Sequence, residues 1–446
     1  MSTTYRLSIA PEFQAFEPEL HFACSFLDSL YRVERTAVGE RVVHYGPNPP
    51  AGAIEVPAQI LAKLVFLDGE GIHPIATAIA EFEKQFDRLG FPQPSSQAGK
   101  EPVYAGSSKG SLDYDALGLI FFLLSRVEER GYKGPNNDRY GRFPISASFQ
   151  YRCLSLEFPA ADIAARTLAA ALLDTPTPKR NRRYSVHLTH DMDMLRGNHR
   201  PSEPVRKALG DVVFRQDWRS AGDRLRYAYF TGEPWKSVLH LMKLSESKGL
   251  ASRFFLMGPT NDTRDSPYTL REPNTVRRLA GMIIDRGHQV GFHPGFLTGT
   301  DPNEWCRQKK GLEKIIGFSV EEGRHHGLLF DAELTWDTWN DGGMRSDMTL
   351  GFPEASGFRS GTCTAHATYS LRNRRTLDLI EYPTSILDFG FFGGRYRDLS
   401  VEDALTEAKR VIEITRSFDG DLVLLYHTGN LRSPWIDFYH QLLEFI

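Results

Sequence analysis

At 446 residues, with 41% apolar and 12% aromatic side chains, the chain can bury sizeable cores but is too long for one ordinary core, which predicts two domains or a large barrel with an extension. A formal net charge of −3, with no long block of like charge, gives no electrostatic reason to expect a nucleic-acid partner. Four scattered cysteines, Cys24, Cys153, Cys306 and Cys363, exclude a disulfide framework and a CxxC metal site and read as a reducing compartment.

The opening stretch MSTTYRLSIAPEFQAFEPEL lacks a basic region followed by an apolar core and a small-residue cleavage site. The apolar run Leu117–Leu124 falls far short of the roughly 20 residues that a bilayer span requires. A cytoplasmic protein without a membrane span is therefore expected.

In chain order, Tyr45–Pro50 reads as a turn, Ile75–Phe86 has helical periodicity, and Ser95–Lys100 is a polar loop. Gly106–Gly110 matches G-x-S-x-G, the nucleophile elbow of serine hydrolases, but lacks the buried strand before Ser108 and the helix directly after it, so a loop is the better reading. Past Asp113, the residues Leu117, Ile120, Phe121, Leu124 and Val127 recur at spacings of three and four, which predicts a core helix closing at Glu128–Gly131. A second helix is expected over Ala160–Leu173. The Pro-containing basic stretch Asp174–Arg183 then reads as the boundary between an N-terminal α+β domain, residues 1–180, and a second domain, residues 183–446.

The second half repeats a unit of helix, glycine-containing turn and short apolar strand. Examples are Asn274–Arg286, Gly287 and Gln289–His293, then a helix from Asp301-Pro302 to Ile316 with Gly317 as its C-cap. Such alternation predicts an α/β fold, a distorted (β/α) barrel with its chemistry at the carboxyl ends of the strands.

The strand Ser185–Met192 ends in two acids, Asp191 and Asp193, separated by one residue. Alternation places both on one face, with His190 and Met192 on the other. Two carboxylates in one small volume stay ionised together most simply around a cation. An isolated D-x-D is also what a strand running into an acidic turn looks like, but other strand ends carry polar residues too: His293, His326, Arg359, Asp388 and His427. Two histidines and an aspartate with an open fourth position suit a catalytic divalent metal.

These residues resemble the NodB-homology polysaccharide deacetylases of carbohydrate esterase family 4. Thr189-His190-Asp191-Met192-Asp193 looks like the first motif of a divergent D-x-D branch, Gly287–Pro294 like the second motif, Gly357-Phe358-Arg359 like the arginine motif, and Leu424–His427 like the terminal motif. The likeness covers roughly residue 183 to the C-terminus. Phe121–Glu129 and Gly141–Pro144 look like the N-terminal extension that accompanies this branch. One position departs from the pattern: Leu297 stands where the second motif has another histidine, and His326 is the candidate for the missing ligand.

The resemblance implies removal of an acetyl group from an N- or O-acetylated sugar or glycan. It implies a divalent metal, zinc with cobalt or nickel as alternatives, held by Asp193, His293 and His326. Asp191 would be the general base, kept ionised by Arg359, and His427 the general acid, held by Asp388. A cytoplasmic location favours a soluble, nucleotide-linked or lipid-linked sugar, and Trp235, Trp305, Phe296, Phe391 and Phe392 are candidates to stack on it. Two other readings stand beside this one: a non-catalytic glycan-binding or scaffold relative, and a metal-dependent amidase on a non-sugar substrate. The sequence sets no oligomeric state.

Overall fold

The computed structural model describes residues 3–67, 71–74, 111–132, 140–195, 203–216, 218–219, 221–222, 225 and 236–446. The expected helix Ile75–Phe86, the loop Ser95–Lys100, the Gly106–Gly110 pattern and Trp235 lie outside the described residues. Two compact units form: residues 1–185, 330–385 and 410–422 make the first, and residues 186–329, 386–409 and 423–446 the second. The second half of the chain therefore contributes to both.

In the first unit, the helices Glu17–Leu30, Ala116–Leu124 and Ala160–Leu173 pack together. Ala116–Leu124 is buried at all nine positions, as a segment apolar on every side must be, rather than along a single stripe. Its start is set by Asp115, whose carboxylate accepts from the Gly118 N–H at 2.7 Å. Phe121 meets the rings of Phe22 and Tyr369 edge-on. Four parallel strands accompany these helices, in the order Val33–Arg35, Thr3–Ile9, Arg41–Tyr45, Ile54–Val56. A further strand, Arg375–Glu381, pairs antiparallel with His366–Ser370 and parallel with Ser346–Asp347.

The second unit is a distorted (β/α) barrel, its sheet curled into a half-barrel. Its strands are β1 (Ser185–Met192), β2 (Ser252–Met257), β3 (Gln289–His293), β4 (Glu322–Gly323), β5 (Ile386–Leu387) and β6 (Asp421–Leu425), in the spatial order β4-β3-β2-β1-β6-β5. The pairs β1/β2, β2/β3, β3/β4 and β5/β6 are parallel. Strand β6 is buried at every position, which is why it reads as a continuous apolar run.

The connecting helices follow local rules. Pro273 opens Pro273–Asp285 within its first turn, Asp301 caps Pro302–Ile316 through the N–H groups of Asn303 and Glu304, and Gly317 ends that helix at φ 93°. One strand differs from expectation. The stretch Ile380–Leu387, which reads in the sequence as one strand ending at Asp388, is split, because Pro383 has no N–H to donate to a ladder; Glu381 ends one strand, and Asp388 follows the two-residue β5.

Candidate metal centre

Parallel strands bring their carboxyl ends to one edge, and there β1, β3, β5 and β6 deliver Asp191, Asp193, His293, Asp388 and His427, with His326 following β4. Asp193 sits at the centre. Its Oδ1 lies 3.2 Å from His293 Nε2, and its Oδ2 lies 3.8 Å from both His326 Nε2 and His427 Nε2. Asp191 Oδ2 is 3.8 Å from His293 Nε2. The longer separations exceed a hydrogen bond.

What fixes this geometry is the other nitrogen of each ring. His293 Nδ1–H donates to the Arg324 carbonyl at 2.6 Å, His326 Nδ1–H to Asp265 Oδ1 at 2.7 Å, and His427 Nδ1–H to Asp388 Oδ1 at 2.7 Å. A carbonyl or carboxylate can only accept, so each neutral ring carries its proton on Nδ1 and presents a lone pair at Nε2. This is the outer arrangement that orients metal-binding imidazoles.

Asp193, His293 and His326 each offer a ligand atom, and these atoms lie within 4.8 Å of one another. Two ligands about 2.1 Å from a shared tetrahedral ion sit about 3.4 Å apart, so the donor set fits one divalent cation. The electrostatics agree. Burial alone would raise the Asp193 carboxyl, yet the imidazoles of His326, His427 and His293 hold it far below the usual carboxylate range. Burial would lower His427, but Asp388 and then Asp193 raise it to about 9. His293 is raised by Asp191 and Asp193 against its own burial.

Arg359 is not where the resemblance put it. Its guanidinium donates to Glu129 at 3.0 and 2.6 Å and to the Gly351 carbonyl at 3.1 Å, all within the first unit. The cation on Asp191 is Arg324, whose Nη1 reaches Asp191 Oδ1 at 2.8 Å while Nη2 reaches Thr189 Oγ1 at 2.8 Å. Arg324 had a signal: the alternation that separates His325 from His326 puts Arg324 on the His326 side. His325 turns away, donating or accepting at Thr298 Oγ1 at 2.8 Å, and burial lowers its pKa to about 3. His190 likewise faces away, bonded to the Tyr426 carbonyl and Ser252, and burial lowers it to about 4.

Asp265 gave no spacing signal. It follows β2 by eight residues, and its carboxylate also accepts from the Phe296 N–H at 3.0 Å. Gly295 makes room for it, since a Cβ there would lie 2.2 Å from Asp265 Oδ2. Leu297, in the same turn, is 45% exposed. Phe296 lies with its ring 4.5 Å from that of His326, and Phe389 lies 4.4 Å from His427. Trp305, Phe391 and Phe392 are core residues instead, each at most 1% exposed.

No helix among the described residues is long and apolar enough to cross a membrane. No curated protein matches the sequence. Residues 21–176 match DUF7033, a family of unknown function. Three solved structures share a partial likeness with the chain. A Mycobacterium smegmatis protein given as a candidate polysaccharide deacetylase is 18% identical, with a TM-score of 0.38 over 59% of this chain and 83% of its own. A BA3943 mutant, a CE4 family pseudoenzyme with restored activity, is 12% identical, with a TM-score of 0.29 over 59% and 64%. The Bc1960 peptidoglycan N-acetylglucosamine deacetylase is 15% identical, with a TM-score of 0.27 over 58% and 80%. At such identities, the functional reading rests on the residues themselves.

Proposed function

We propose that this protein is a metal-dependent hydrolase that removes an acetyl group from an N- or O-acetylated sugar or glycan. One observation supports this above the others: three imidazoles, each tied at Nδ1, aim Nε2 at Asp193 while Arg324 holds Asp191 beside them. Asp193, His293 and His326 would hold the divalent ion, zinc first and cobalt or nickel as alternatives. When bound, such an ion polarises the acyl carbonyl and brings the pKa of water toward about 7.

The chain's own groups do the rest. Asp191, oriented by Arg324, accepts a proton from the attacking water. His427, fixed by Asp388, delivers a proton from Nε2 to the departing nitrogen or oxygen. Phe296 and Phe389 offer flat apolar faces for a sugar ring. The reaction is assigned to residues 183–446, with the domain of residues 1–180 outside it.

The test is acetate release from a panel of N- and O-acetylated sugars, with small amides alongside, and metal content by elemental mass spectrometry for wild type and His326→Ala. About one ion per chain and turnover of sugars, both lost in the variant, is the expected result. Turnover of amides alone would make the protein an amidase. Absence of metal in both proteins, even with zinc supplied, would sink the proposal.

A further inference from the structure

The helix Glu203–Arg215 is amphipathic the wrong way round for a helix facing water. On its inward side Ala208 and Asp211 are 4% and 3% exposed. On the opposite side, Val205, Leu209 and Val213 fall within an arc of about 80°, at 44%, 58% and 64% exposure. Phe214, about 100° farther round the helix, is 86% exposed, and Trp218 stands just beyond the helix at 73%. Of the eleven large apolar side chains exposed among the described residues, five are in this one stretch. Scattered single exposed hydrophobics need no explanation, but five between residues 205 and 218, two of them aromatic, do.

The charge around it has a sign. Among the described side chains between residues 205 and 219, the exposed charges are Arg206 and Arg219, while the acid Asp211 is buried. Residues 196–226 of the sequence carry eight Lys and Arg against four Asp and Glu, in a chain whose net charge is −3. A helix with outward apolar side chains, two aromatics at its C-terminal end and exposed arginines beside them matches the interfacial region of an anionic bilayer, where aromatics sit at headgroup level and basic residues meet lipid phosphates.

We infer that Glu203–Arg215 and Trp218 form a docking surface for anionic phospholipid membranes, lying in the interface rather than crossing it. This goes beyond the hydrolase reading and stands whether or not the metal centre turns over. Flotation of the full-length protein with phosphatidylglycerol-containing vesicles tests it, with phosphatidylcholine vesicles as the neutral comparison. Binding to the anionic vesicles is expected, weakened about tenfold in a Phe214→Ser/Trp218→Ser variant. An Arg206→Glu/Arg219→Glu variant should weaken it at least about tenfold and flatten its salt dependence. All four positions are exposed, so the variants keep the wild-type melting curve. Absence of flotation, equal flotation on neutral vesicles, or flotation that the aromatic variant leaves unchanged would overturn the inference. So would a wild-type dimer, seen by light scattering, that becomes a monomer in the aromatic variant while neither protein floats; the face would then belong to a second copy.

Discussion

Each unit contains a cluster of charged groups, and the two are built on opposite principles. In the first unit, Arg126 donates to Glu129, Glu128 and the Leu123 carbonyl, Arg359 donates twice to Glu129, and the Phe149 N–H donates to Glu128. Both guanidinium groups are at most 2% exposed, and Arg359 also lies against the rings of Phe330 and Phe352. Both guanidinium groups are tied to buried carboxylates and backbone carbonyls by bonds of 2.6 to 3.1 Å, an arrangement that holds structure. In the second unit, each imidazole has one nitrogen committed and the other aimed at a carboxylate 3.2 to 3.8 Å away. Unsaturated convergence of that kind marks a place where an ion fits. A motif arginine can belong to either sort of cluster, and only its partners tell which.

The comparison can be broken at several points. The largest effect is expected from Asp193→Ala, which should abolish both metal content and acetate release; retained metal would remove Asp193 from the ligand set. Asp191→Asn should keep the metal, as read by elemental mass spectrometry, while turnover falls about 10²- to 10⁴-fold, the range for a lost general base. Equal loss of metal in the two variants would overturn their division of labour.

Arg359→Ala tests the other cluster. Removing one partner of a buried ion pair should destabilise the protein by about 3–5 kcal/mol in urea unfolding, with the metal content of the folded protein unchanged. A variant of normal stability that has lost activity would instead return Arg359 to the catalytic machinery. Asp265→Asn should have the smallest effect. By loosening His326 it should weaken metal affinity about 10- to 100-fold in a chelator competition, with turnover largely recovered at saturating metal.

Several parts of the molecule were legible because their cause is local. The helix Ala160–Leu173, the Asp301 cap, the Gly317 terminus and the strand Gln289–His293 follow from spacing and capping within a few residues. The D-x-D pair was legible for the same reason, since strand alternation alone places Asp191 and Asp193 together. Asp265 was invisible because a lone aspartate in a polar loop carries no period, and its role arises from a His326 that lies 61 residues away. The misplacement of Arg359 has a similar origin: a guanidinium reaches whichever carboxylate the fold puts beside it, and Glu129 is 230 residues away in the chain.

By itself, the sequence determined the parallel α/β alternation and the polar residues that punctuate its strand ends, because hydrophobic period, caps and turns act over a few residues. Tertiary structure decided which nitrogen of each histidine is committed, which arginine serves Asp191, and which segments share a unit. Those outcomes depend on contacts between positions far apart in the chain, which burial and hydrogen-bond satisfaction select only once the strands are side by side.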